Sequence, residues 1–119
     1  MSRILIAEDD PSLCQFLAGA LQRAGHEVTA TQNGNEALNH LQNSGPYDLL
    51  LTDIVMPGID GIELSQKAVK DYPGLKIMFI TGFTAALADA NAENHNIAVL
   101  SKPFHLNDLV SQIQNMLKN

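Results

Sequence analysis

With one cysteine, Cys14, in 119 residues, an intrachain disulfide is excluded and the fold must be held by packing alone. This usage fits a reducing cytoplasm, where we expect the protein to reside. Basic residues are also few. Seven Lys and Arg against 13 Asp and Glu leave a formal net charge of -6. Nucleic-acid binding by this domain is disfavoured, because neutralising phosphates requires clustered Lys and Arg. Lys67 and Lys70 form the one notable basic pair, and they read as a solvated helix face. No apolar run approaches a signal h-region or a spanning helix, so neither a leader nor a membrane association is expected. No repeat, low-complexity stretch or linker is visible. The expectation is one domain over residues 1–119, without an attached output domain.

What is present is a globular composition, 45% apolar, arranged in short runs that end in chemically loaded residues. Ile4-Leu5-Ile6-Ala7 precedes Glu8-Asp9-Asp10, and Leu49-Leu50-Leu51-Thr52 precedes Asp53. Ile77-Met78-Phe79-Ile80 precedes Thr81-Gly82, and Ile97 to Ser101 precedes Lys102-Pro103. Such runs read as buried strands of a parallel sheet. A shorter strand is expected at Glu27 to Thr31, and the third strand at Asp48 to Thr52.

Helical signals alternate with the strands. Pro11 suits a first helical position, and Gly25 a C-terminal cap. Between them Leu13, Phe16, Leu17, Ala20, Leu21 and Ala24 fall on one expected apolar face, with Cys14 one step off it and read as a small packing residue. A second helix follows Asn33-Gly34 and stops at Gly45-Pro46; a third runs from the Asp60-Gly61 turn to about Tyr72. Residues 84–96 suggest a short, mobile fourth helix, and a last helix carries Leu106, Leu109, Val110, Ile113, Met116 and Leu117. Strands alternating with helices imply an α/β fold, doubly wound around a parallel sheet.

Sites in such folds form at the carboxyl ends of strands. If the first and third strands are neighbours, Glu8, Asp9 and Asp53 meet there. Close carboxylates repel unless a cation intervenes, and Mg2+ with oxygen ligands is the natural remedy. An isolated Glu-Asp-Asp is more commonly a helix cap; Asp53 at a second strand end tips the balance. A carboxylate is also a competent nucleophile toward phosphoryl groups. Thr81 and Lys102 would supply a hydroxyl and a point charge for a phosphate. The four histidines, His26, His40, His95 and His105, show no metal-ligand spacing.

Together these motifs resemble the receiver domain of response regulators, the CheY-like phospho-acceptor module of two-component signalling. The motifs are Ile-Leu-Ile-Ala-Glu-Asp-Asp-Pro, Asp-Leu-Leu-Leu-Thr-Asp-Ile-Val-Met-Pro-Gly-Ile-Asp-Gly, Phe-Ile-Thr-Gly-Phe and Leu-Ser-Lys-Pro-Phe. The resemblance implies a flavodoxin-like (βα)5 fold with five parallel strands in the order 2-1-3-4-5. It implies Asp53 as phospho-acceptor, Asp9 as direct Mg2+ ligand, Glu8 as the outer acid and the Val55 carbonyl as a further ligand. Thr81 would be the switch hydroxyl and Lys102 the phosphate-contacting lysine, followed by a cis bond to Pro103. A histidine kinase or phosphotransfer protein would be the donor. The readout face would comprise the fourth helix, the fifth strand and the last helix.

Two positions depart from the family pattern. Val99 stands where many receivers carry a switch aromatic, with Phe83 a candidate substitute. Ile97 and Ala98 lack the acid used in dimer salt bridges, so a monomer or weak dimer is expected. The Thr-Gly-Phe and Leu-Ser-Lys-Pro-Phe-His-Leu stretches look most like stand-alone receivers of the CpdR type, adaptors for the ClpXP protease. The expectation is thus a signalling protein with self-catalysed phosphorylation and dephosphorylation, not an enzyme in the ordinary sense. A phosphorylation-independent interaction module is one alternative. A metal-dependent phosphatase is the other, but Val55 occupies the place of its general acid and cannot move a proton.

Overall fold

The computed structural model describes residues 2–81, 97–101 and 104–118. Five parallel strands form one sheet: β1 (Arg3–Ala7), β2 (Glu27–Thr31), β3 (Leu49–Asp53), β4 (Lys76–Thr81) and β5 (Ile97–Ser101). Their order is β2-β1-β3-β4-β5, the flavodoxin-like arrangement expected. Four helices are described: α1 (Pro11–Arg23), α2 (Gly34–Ser44), α3 (Gly61–Asp71) and α4 (Leu106–Lys118). The expected helix over 84–96 lies outside the described residues, as do Phe83, Lys102 and Pro103.

The central strands are apolar throughout because both faces of the sheet are covered. Side chains alternate between the faces. On one, Leu5, Leu50, Ile77 and Phe79 pack with Ala37 and Leu41 of α2 and with Leu64 and Ala68 of α3. On the other, Ile4, Ile6, Leu49, Leu51, Met78 and Ile80 pack with Leu17 and Leu21 of α1 and with Leu109 and Ile113 of α4. Central strands buried on both faces lose the polar alternation of a half-exposed strand, which is why the runs read so clearly.

The helix starts are fixed locally. Asp10 caps α1 by accepting from the Ser12 and Leu13 amides, with Pro11 at the first helical position. Asn33 caps α2 through the Glu36 amide, and Asp60 caps α3 through the Glu63 amide. Gly25 follows the end of α1 at φ +99°, a left-handed conformation that a β-carbon disfavours. The peptide bond between Gly45 and Pro46 is cis. At the far end of the sheet the Lys76 ammonium donates to the Met116 carbonyl in the last turn of α4.

Two details differ from the expected pattern. Phe16 is 54% exposed, whereas Cys14, off the expected stripe, is the small packing residue expected: it is buried and its thiol donates to the Thr31 carbonyl at 3.5 Å. At about 100° per residue, Phe16 lies about 100° round the helix from Leu17. The face is set by the sheet and α4 together, and it runs through Cys14, Leu17 and Leu21. The third strand also reaches Asp53, because its ladder with β4 continues to the Asp53–Ile80 pair.

Candidate functional site

The strand ends bring the acids together. Ala7 pairs with Thr52 across β1 and β3, so the next residue of each strand is Glu8 or Asp53. Carboxylate oxygens of Glu8, Asp9 and Asp53 all lie within 4.8 Å of one another. Glu8 and Asp53 are buried, while Asp9 faces solvent. Asp10 stands apart from the cluster as the cap of α1, although its amide donates to Glu8 Oε2 at 3.0 Å. Asp10 is thus the helix cap, while Glu8 and Asp9 meet Asp53 in an acidic cluster.

The Glu8 main chain is anchored as well. Its amide donates to the Thr31 carbonyl at 3.1 Å, and the Thr31 hydroxyl donates back to the Ile6 carbonyl at 2.6 Å. Asp53 is oriented by the amide of Ile54, which donates to Oδ1 at 2.7 Å. Thr81 is buried at the end of β4, opposite Ser101 in the ladder. Val55 stands two residues beyond Asp53 and is 64% exposed. Of the expected site residues, the fold thus unites Glu8, Asp9 and Asp53, and sets Thr81 at the end of the neighbouring strand. Lys102 is among the residues not described.

The donor set suits Mg2+. Carboxylate oxygens from three residues, two of them buried, offer hard ligands and a local concentration of negative charge. Glu8 also bears on a nearby thiol. Cys14 is pushed above the ordinary thiol range by burial first, then by the Glu8 and Glu36 carboxylates.

Comparison with known proteins decides the family. The response regulator receiver domain matches residues 4–114. The chain belongs to the response regulator receiver family. This receiver is 53% identical to the response regulator receiver protein CpdR of Brucella abortus, over 98% of each chain. It is 32% identical to the sensor kinase CckA of the same organism, over 97% of this chain but 12% of that one. Among solved structures, the receiver aligns with the response regulator TrrA of Thermotoga maritima in its complex with Mg2+-BeF. The TM-score is 0.83, with 31% identity over 98% of this chain and 99% of that one. Receiver domains bind Mg2+ at an acidic pocket, and Glu8, Asp9 and Asp53 form such a cluster here. The chain is a receiver of a two-component system, with a stand-alone receiver as relative, and so a signalling protein rather than an enzyme of the usual kind. Among the described residues, no helix is long and apolar enough to cross a membrane.

Residues that sequence reasoning passed over also shape the site. Thr52 is fully buried and donates its hydroxyl to the Asp53 carbonyl at 2.8 Å. Gly61 opens α3 hard against Asp53, where a β-carbon would fall 2.1 Å from that same carbonyl oxygen. The Asp-Gly pair signals a turn in the sequence; nothing in it signals what the turn must touch.

Proposed function

We propose that this receiver is a phospho-switch in which Asp53 accepts a phosphoryl group from a phosphohistidine on a histidine kinase or phosphotransfer protein. The observation carrying this reading is the convergence of Glu8 and Asp9 on Asp53 at the sheet edge. An Asp53 carboxylate oxygen attacks phosphorus as the phosphorus–nitrogen bond breaks, leaving the electron pair on the donor imidazole. Glu8, Asp9, Asp53 and the Val55 carbonyl would hold Mg2+, which neutralises charge on the transferring group. The Ile54 amide fixes the carboxylate plane of Asp53. Thr81 donates its hydroxyl to the phosphoryl group, and Lys102 supplies a positive charge.

Thr81 engagement shifts a two-state equilibrium of the adjoining surface, which a protein partner reads. The CpdR-type resemblance makes ClpXP protease the partner we assign. The 53% identity over nearly the full length of both chains supports that choice.

The test is intact mass after incubation with Mg2+ and acetyl phosphate. One adduct of about 80 Da, absent from Asp53→Asn, is the expected result of aspartyl phosphorylation. An adduct that persists in Asp53→Asn refutes the acceptor assignment. Purified ClpX should then distinguish the phosphorylated from the bare form. Equal binding of both forms and of Asp53→Asn would make the receiver a phosphorylation-independent module.

A further inference from the structure

Asp53 is held by its main chain as well as by its carboxylate. The peptide unit joining Asp53 to Ile54 has both of its polar groups engaged. Its carbonyl accepts the Thr52 hydroxyl at 2.8 Å, and the backbone of Gly61 closes the same oxygen from α3. Its N–H donates to Oδ1 of Asp53 itself at 2.7 Å. A second strut lies just beyond, where the Gly61 amide donates to the Ile54 carbonyl at 2.8 Å. Carbonyl and N–H of one peptide share a rigid plane, so a rotation that moves one moves the other. Gripping the carbonyl therefore aims the N–H, and the N–H aims the acceptor carboxylate.

The geometry points to Thr52 as a positioning residue for the phospho-acceptor, acting through the Asp53–Ile54 peptide. This inference rests on the phospho-acceptor reading of Asp53. Thr52 suits the role because its β-branched side chain is stiff at χ1 and its site is fully buried. Without the hydroxyl that restraint on the carbonyl is lost, and the peptide is freer to rotate. Gly61 supplies the opposing wall, and its missing β-carbon is what lets helix and peptide approach.

The experiment compares wild type with Thr52→Val, which keeps the shape without the hydroxyl, and Thr52→Ser, which restores the hydroxyl. Acetyl phosphate labelling is followed at varied donor concentration with saturating Mg2+, and Mg2+ affinity is measured by calorimetry. The valine variant should label at saturation about tenfold more slowly, a modest share of what a 1 Å misplacement can cost. Its half-saturating donor concentration should stay unchanged, and Thr52→Ser should return near wild type. A purely structural role would lower the melting temperature without this split or this rescue. Labelling of Thr52→Val at the wild-type rate overturns the inference, as does equal slowing in both variants. Should Thr52→Val fail to melt cooperatively, Thr52→Ala against Thr52→Ser makes the same comparison. If wild type takes no phosphoryl group, the proposed function falls by itself. Mg2+ affinity then decides only whether Thr52 positions the Asp53 carboxylate: weaker binding in Thr52→Val alone supports that, and equal binding refutes it.

Discussion

Carboxylate oxygens of Glu8 and Asp53 lie within 4.8 Å of each other although both side chains are buried. Like charges that close repel, whatever other partners each carboxylate has. Replacing Asp53 by Asn removes one charge and keeps an Oδ1 acceptor for the Ile54 amide. Asp53→Asn should therefore be more stable than wild type in EDTA, by about 1–2 kcal/mol. Mg2+ should raise wild-type stability by up to about 2.7 kcal/mol at a hundredfold excess over its Kd, and the mutant's far less. Urea melts with and without Mg2+ measure both. A mutant less stable than wild type in EDTA would show that repulsion is not the controlling term.

Gly25 and Gly74 make a matched pair. Among the described residues, neither has a neighbour within 4 Å of where a β-carbon would sit, but only Gly25 of the two has a positive φ, +99°. Gly25→Ala should cost about 1–2 kcal/mol from the left-handed backbone alone. Gly74→Ala should be neutral or stabilising by about 0.4–1 kcal/mol through a stiffer unfolded chain. Chemical denaturation of the two variants tests the sign of each.

His26 sets a pH dependence. Its ring nitrogens are buried with no hydrogen-bond partner among the described residues, and burial lowers its pKa below the ordinary histidine value. A lowered folded-state pKa means that the unfolded chain takes up the proton first as pH falls. The penalty is absent above the unfolded-state pKa of about 6.5, grows below it, and is complete beneath the folded-state pKa. Between about pH 7.5 and 5.5, wild type should lose more stability than His26→Gln. Parallel losses in the two proteins would remove His26 as the cause.

The Cys14 thiol should be inert in the native protein. It is buried, it donates to Thr31, and its pKa is raised, so little thiolate exists near neutral pH. Iodoacetamide should modify it slowly in buffer and fully in urea, as read by intact mass. Rapid native alkylation would show that helix α1 opens readily at its first turns.

Much of this fold is legible in local sequence. The runs at Ile4, Leu49 and Ile77 are strands buried on both faces, and sheet burial writes itself as unbroken apolar sequence. The helix caps Asp10, Asn33 and Asp60 are equally local. Phe16 was harder, because a periodic stripe gives a direction only to within the width of a face. The direction taken by α1 depends on the sheet beneath it and on α4 beside it. The end of β3 was harder too, since whether Asp53 belongs to the strand depends on its pairing with Ile80.

The local sequence pattern sets each candidate site residue where an apolar run stops. It does so because burial of a strand and capping of a helix are decided within a few residues. Only the tertiary structure decided which of those residues meet. Glu8 reaches Asp53 because β1 lies beside β3 with Ala7 opposite Thr52. Gly61 reaches the Asp53 carbonyl because α3 packs back over the strand that precedes it. Register and strand order are properties of contacts between distant segments, and no local pattern contains them.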